Sequence, residues 1–320
     1  MAEAVLYQEG DDVLDYTAIA AIDGGDVVQL ADGRAGVIPT DLDAAALGSA
    51  STEGIYTVTK ATDIVWVDGM EIWWDHSANA ATYIPANDKD FYLGVAYGDA
   101  TAAATTGKVQ LNVRPRYLID LQTGAFETLI VKTVVGSTTV EVPHIEVQGG
   151  TSSLIFGATA EAQKVDLLSK RSFAVESNWI VDGTFCIIDD GDAVAIDFNI
   201  GVANGTHASD FNTITERCAF HTDANVLDIL AWSTDGTTTV ALTDTTVNYA
   251  LGTPVNFLID GRNTADIQMY INGVLMLTAE AFKLNAATGP LKLIAHLEKT
   301  SDDETARYNI QQLRVRIANE

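Results

Sequence analysis

Basic residues are scarce in this chain. Its 320 residues include 18 Lys and Arg against 44 Asp and Glu, a formal charge of −26. A field of that sign repels phosphate backbones and anionic bilayers, so it argues against nucleic acid or membrane as a partner. The shortage is sharpest early: residues 1–113 carry 18 acidic side chains against Arg34, Lys60, Lys89 and Lys108, a net −14. Cysteine is nearly absent. Cys186 and Cys218 are too few for a disulfide-stapled secreted scaffold, and their apolar, strand-like surroundings mark them as small buried hydrophobes. No apolar run approaches the roughly 20 residues a membrane helix needs. The opening Met1-Ala2-Glu3-Ala4 has neither the basic nor the apolar region of a secretory signal, so cytosolic synthesis is expected. No internal repeat of fixed period is present.

Catalytic signatures are missing as well. There is no Gly-x-Ser-x-Gly elbow, Walker loop, Gly-x-Gly-x-x-Gly after a strand, or His-Glu-x-x-His. Carboxylate pairs able to hydrolyse a glycoside are conceivable in so acidic a chain, but abundance singles out none. Three clusters deserve weighing. Asp189-Asp190-Gly191-Asp192 and Ser301-Asp302-Asp303-Glu304 place carboxylates in loops, as a hard cation requires, yet they lack EF-hand spacing and read as acidic loop tips. His207, Cys218 and His221 form a His/Cys group, but zinc needs three or four ligands. On one strand the odd separation of Cys218 and His221 sends them to opposite faces. Asn204-Gly205-Thr206 fits a glycosylation acceptor and reads more simply as a turn. No catalytic residue, metal ligand or cofactor is therefore assigned, and the expectation is a protein that is not an enzyme.

What the chain does have is strands. A composition of 47% hydrophobic and 8% aromatic residues is globular. Residues 1–113 read as about seven short strands separated by Gly- and Asp-rich turns, the pattern of a small β-barrel or sandwich. Thr40 to Leu47 is its one plausible helical turn, with Thr40 or Asp41 as N-cap. Val67 to Asp75 stands out: a turn signal at Asp68-Gly69, then Trp73 and Trp74 side by side. Successive strand residues face opposite ways, so one indole packs inward and the other needs separate cover. Residues 114–176 read as a connecting segment. It holds a hairpin candidate, 129–135 and 138–142 about Gly136-Ser137, and the best helix candidate, 158–168. Residues 177–320 return to strands, with turn signals at Asp182-Gly183, Asp235-Gly236 and Asn272-Gly273. Asn-Gly is the strongest, because a type I′ turn needs positive φ at both positions. About nine strands there argue for a two-sheet jelly roll. The fold class is all-β throughout.

Several ordered pieces of the first region carry a resemblance. They are Asp15-Tyr16-Thr17, Ala21 to Val28, Gly33-Arg34-Ala35-Gly36-Val37, and Glu53 to Val58. Asp68-Gly69 leading to Trp73-Trp74-Asp75, and then Leu93-Gly94-Val95-Ala96, complete the set. Together they resemble the capsid decoration, or cement, proteins of tailed bacteriophages, over about the first 115 residues. The resemblance implies a β-rich module on the outer surface of a virion, commonly a homotrimer. Its partner would be the major capsid protein, and its work would be mechanical stabilisation of the shell. On that reading Tyr7, Ile72, Trp73, Trp74 and Tyr83 are the candidate contact residues. The strands from Phe257 to Gly273 and the C-terminal strand resemble laminin-G or concanavalin-like sandwiches. That implies a fold, and raises two alternatives. One is a sugar-binding face built on Trp232, Tyr249 and Tyr270, with cell-surface glycans as partner; the other is a glycosidase.

Overall fold

A computed structural model describes residues 12–121, 129–144, 151–157, 161–191, 196–206, 210–223, 226–300 and 305–318. The chain divides into two compact units, Met1–Pro115 and Arg116–Glu320. Both are built almost wholly of antiparallel strands. Among the described residues no helix is long and apolar enough to cross a membrane.

Among its described residues the first unit holds nine strands: β1 (Val13–Thr17), β2 (Val27–Gln29), β3 (Ala35–Val37), β4 (Leu47–Ser51), β5 (Ile55–Thr59), β6 (Glu71–Asp75), β7 (Ala80–Thr82), β8 (Phe91–Ala96) and β9 (Thr106–Leu111). They form a four-stranded sheet, β1-β4-β3-β2, and a five-stranded sheet, β5-β9-β8-β6-β7. The core joins Ala35 and Val37 of the first sheet to Val58, Ile72, Trp74, Phe91, Leu93 and Val109 of the second, around the fully buried Trp66. Strand β9 can pass beneath that indole only because residue 107 is glycine; a Cβ there would lie 2.1 Å from the ring.

Asn112 ties the sheets together. Its Oδ1 accepts from Ala35 N–H at 2.9 Å, and its Nδ2 donates to Ala35 O at 2.9 Å and Thr52 O at 2.7 Å. Its φ of 57° is a left-handed conformation that Asn tolerates better than most residues.

The expected helical turn at 40–47 is not formed. Leu42 pairs its backbone with Ile22, its side chain fills the space above Gly48, and Leu47 already begins β4. Asp41 caps a turn rather than a helix, accepting from Gly24 N–H at 2.8 Å.

The second unit continues with β10 (Ile119–Asp120), β11 (Ile130–Val135), β12 (Thr138–His144), β13 (Thr151–Phe156), β14 (Gln163–Ser169), β15 (Trp179–Asp189), β16 (Ile196–Ala203), β17 (Glu216–Asp223) and β18 (Asp228–Asp235). The rest are β19 (Thr239–Asn248), β20 (Val255–Gly261), β21 (Gln268–Ile271), β22 (Val274–Leu275), β23 (Lys292–Lys299) and β24 (Ala306–Ile317). One sheet runs β12-β13-β24-β15-β20-β21-β22, with β10 beside β24; the other runs β11-β14-β23-β16-β17-β18-β19. Alternate residues of both meet in one core that includes Phe156, Phe185, Phe198, Phe220, Phe257 and Tyr308. This is the two-sheet jelly roll. Each fully buried side chain of this size contributes about 1.5–3 kcal/mol. Cys186 and Cys218 are free and buried, as their surroundings imply.

Four expectations in this region are corrected. The helix candidate at 158–168 is replaced by strand β14 from residue 163 onward, with Val165 and Leu167 in the core and Asp166 on the other face; residues 158–160 lie outside the described residues. The expected hairpin about Gly136-Ser137 is instead a crossover: β11 pairs with β14 in one sheet and β12 with β13 in the other. The stretch 114–176 is thus no mere connection, since five of its strands belong to the sandwich. Asp182-Gly183 is no turn either, but the middle of the continuous strand β15. Residue 183 is glycine because a Cβ would sit 2.6 Å from the Phe257 ring. The turns at Asp235-Gly236 and Asn272-Gly273 do join hairpins, β18–β19 and β21–β22, with φ of 49° and 76° at Asn272 and Gly273.

Candidate functional site

In the first unit β6 alternates as a strand must. Ile72 and Trp74 point into the core, while Trp73 is half-buried on the opposite face. There its ring meets Tyr92 edge-on, with centroids 5.4 Å apart, and Arg114 covers Tyr92 at 4.7 Å. Part of the cover for the second indole therefore comes from its own unit. Tyr83 is also half-buried, and burial pushes its hydroxyl up to about 12. Tyr7 lies outside the described residues. Of the candidate contact residues, Ile72 and Trp74 are withdrawn as direct contacts, because core side chains cannot meet a partner without unfolding. Trp73 and Tyr83 remain accessible.

Sequence reasoning missed a more exposed apolar feature. Ile19 is 94% and Leu47 69% exposed. Both flank one backbone clasp, in which Ala18 N–H donates to Ala46 O at 3.0 Å and Ala45 N–H donates to Ala18 O at 2.8 Å. Ile19 lies outside any strand and Leu47 at the very start of β4, so neither belongs to an alternating run long enough to single it out. Behind Gly54, a cleft of about 380 Å³ is lined by Arg34, Thr52, Glu53, Gln110, Asn112 and Val113.

In the second unit the three rings suggested for sugar stacking are buried. Trp232 is packed against Phe211 and under Arg217, whose guanidinium lies 4.2 Å from the indole centroid. Tyr249 is enclosed and its hydroxyl donates to Asp190 Oδ2 at 2.8 Å. Tyr270 is enclosed in the opposite sheet. Rings without open faces cannot stack on a sugar, so this set is withdrawn as well.

The chemistry of this unit is concentrated on the outer face of the sheet containing β14, β23, β16 and β17. Cross-strand register lines up Asp166, His296, Asn199 and His221 in one row. The next row holds Lys164, Glu298, Asp197 and Asp223. On the other side of the first row, Leu168, Ile294, Ala219 and Trp232 form an apolar strip, covered by Phe211 and Ile214 from the 204–215 loop. The three rows escaped notice because their members are spread over more than 130 positions and meet only through strand pairing.

Within the array, Lys164 Nζ lies 2.7 Å from Asp166 Oδ2, and Thr206 donates to the same carboxylate. His296 sits between carboxylates: Nδ1 bonds Asp166, and Nε2 lies 3.0 Å from Glu298 Oε2. Burial pulls the His296 pKa down, but those two acceptors outweigh it and the net shift is upward. Burial likewise opposes ionisation of Asp166, but His296, Lys164 and Thr206 hold its carboxyl below the usual range. Beside this group, His221 Nδ1 meets Asn199 Oδ1 at 2.9 Å and Nε2 meets Asp223 Oδ1 at 2.5 Å. Burial pushes Asp197 up to about 7, with His221 pulling it down and the neighbouring Asp223 adding to the rise. Cys218 lies in the core on the face away from His221, as their spacing required, and burial pushes its thiol up. His207, Asp192 and the 301–304 loop lie outside the described residues.

Residues 7–111 match the family of phage cement proteins, about a third of the chain. No curated protein matches the chain. Three similar solved structures are 10–11% identical to the chain, and one of them is described as an endo-acting O-glycanase of members of the human gut microbiota. It has a TM-score of 0.46, over 64% of this chain and all of that one. The carbohydrate recognition domain of Emp47p gives 0.44, over 62% and 95%; an alginate lyase of polysaccharide lyase family 7 gives 0.42, over 58% and 86%.

Proposed function

We propose that the protein is a structural component of a phage virion, a cement protein whose first unit binds the outer surface of an assembled head. The match of residues 7–111 to phage cement proteins carries this reading. The charge supports it, since a chain at −26 is repelled by packaged DNA and by other virions that carry it.

The mechanism is one of linkage. A protein that binds only the assembled shell stabilises that state by mass action, and each copy that bridges two capsid subunits adds its binding free energy to their junction. The contacts run through side chains already exposed in the isolated chain: Ile19 and Leu47 first, then Trp73 and Tyr83. Fully burying a side chain the size of Ile19 contributes about 1.5–3 kcal/mol, and repetition over a lattice makes modest single contacts sufficient. The working form is a homotrimer, which places three copies of this surface on one local threefold position. The role is structural rather than catalytic.

Co-sedimentation of the full chain with empty, expanded heads of the cognate phage tests this. Saturable binding is expected, with at least about a tenfold loss for Ile19→Asp combined with Leu47→Asp, a change of about 1.4 kcal/mol or more. A wild-type chain that stays in the supernatant at every head concentration would overturn the reading.

A further inference from the structure

We propose that Asp197, His221 and Asp223 form a binding site for a single first-row divalent transition metal, with zinc as the reference ion. Their ligand atoms all lie within 4.8 Å of one another. They come from paired strands, since Asp197 stands directly opposite Asp223, and His221 is two residues along on the same face.

Three independent features point to a cation. The first is charge. Glu298, Asp197 and Asp223 occupy consecutive cross-strand positions on three adjacent strands. Like charges directly opposite one another destabilise a sheet; Glu298 already has His296 beside it, so the pair that a cation would relieve is Asp197 and Asp223. The positive charge of Lys164 is engaged at the far end of the row by Asp166.

The second is ligand orientation. A metal-binding imidazole nearly always has its other ring nitrogen fixed by an acceptor, which sets the tautomer and aims the lone pair. Asn199 Oδ1 does this to His221 Nδ1 at 2.9 Å, leaving Nε2 directed at Asp223 Oδ1, 2.5 Å away. The metal sits between this imidazole nitrogen and the carboxylate oxygen that now faces it.

The third is an orphan donor. Asn199 is 1% exposed, and its Nδ2 has no partner among the described residues. Three protein ligands leave one tetrahedral position open, ordinarily held by water. Asn199 stands directly opposite His221 on the same face, and a water in that open position would give this buried amide an acceptor.

The donor set selects the ion. One imidazole with two carboxylates suits zinc and its neighbours in the first transition row, whereas calcium takes oxygen ligands in greater number. Bonds of about 2.0–2.1 Å at tetrahedral angles require a modest contraction of the trio. Asp223, whose side chain is 36% exposed, is free to provide it.

Isothermal titration of the EDTA-treated full chain with Zn²⁺, Mn²⁺ and Ca²⁺ tests the site. One equivalent of Zn²⁺ binds in a saturable one-site isotherm. Ca²⁺ does not compete. Asp223→Asn and His221→Gln abolish the one-site isotherm, and Asn199→Ala weakens it about tenfold or more. Circular dichroism confirms that each variant is folded, and Asp223→Asn, at the exposed edge, is the variant that keeps the test decisive. The absence of saturable zinc binding by the wild-type chain overturns the proposal. So does an isotherm that Asp223→Asn leaves unchanged, or one that Ca²⁺ displaces with equal affinity.

Discussion

Replacing Asn112 by alanine tests how the first unit is held together. The substitution removes three hydrogen bonds of 2.7–2.9 Å that join residue 112 to Ala35 and Thr52. At a net of about 1 kcal/mol each they sum to about 3 kcal/mol. Ala35 is fully buried, so its N–H and C=O are left without compensation from water. A non-Gly residue other than Asn at the observed φ of 57° adds about 1 kcal/mol of backbone cost. The total of about 3–4 kcal/mol corresponds to a fall of about 12–30 °C in melting temperature for a unit of some 100 residues. Differential scanning calorimetry of the full chain reads this as a downward shift of one transition only. Asn112→Gly separates the two causes: it loses the same hydrogen bonds but not the backbone freedom, and melts a few degrees above Asn112→Ala. A fall of less than about 4 °C in Asn112→Ala would refute the claim that this side chain clamps the sheets.

The neighbouring tryptophans should part company. Trp74→Ala empties the core and costs about 3–5 kcal/mol. Trp73→Ala forfeits mainly its edge contact with Tyr92, about 0.5–1.5 kcal/mol, yet is the one that weakens head binding; thermal melts and co-sedimentation on both variants check this. In the second unit, Gly261→Ala drives a Cβ to 2.2 Å from the Trp179 ring, so its calorimetric transition falls while that of the first unit stays. Stability of the second unit should also follow pH. The raised His296 pKa contributes stability that is complete below about 6.5 and is lost as pH climbs through the folded value. The lowered Asp166 pKa contributes stability that is complete above about 3.9 and is lost as pH falls through the folded value. Denaturant melts from pH 3 to 9 should therefore peak between those limits, and His296→Gln should flatten the alkaline decline.

Strands were far easier to see in the sequence than the way they pair. The alternation of Val255, Phe257 and Ile259 with Asn256, Leu258 and Asp260 is legible in β20, because that period depends only on neighbouring residues. Asn272-Gly273 identified its hairpin because the turn itself demands those residues. Gly136-Ser137 offered the same local chemistry and misled. A reversal of the chain does not say whether the next strand rejoins its own sheet or crosses to the facing one. Asp182-Gly183 misled for a different reason: glycine was required there by the Phe257 ring, a contact 74 positions away. The polar array around His296 and His221 was out of reach for the same cause, since register between β14, β23, β16 and β17 assembles it. The aromatic candidates failed because size and polarity cannot separate a ring that lines a surface from one that fills a core. Trp73 and Trp74 were the exception, where strand alternation alone required one of each.

The most direct test of the account is a cryo-electron microscopy reconstruction of cognate phage heads incubated with the full chain. The account predicts density for residues 12–115 seated on the outer shell across a junction between capsid subunits, with Ile19 and Leu47 in the contact. Heads left undecorated at saturating protein, or decorated through residues 116–320 with the first unit away from the shell, would contradict it.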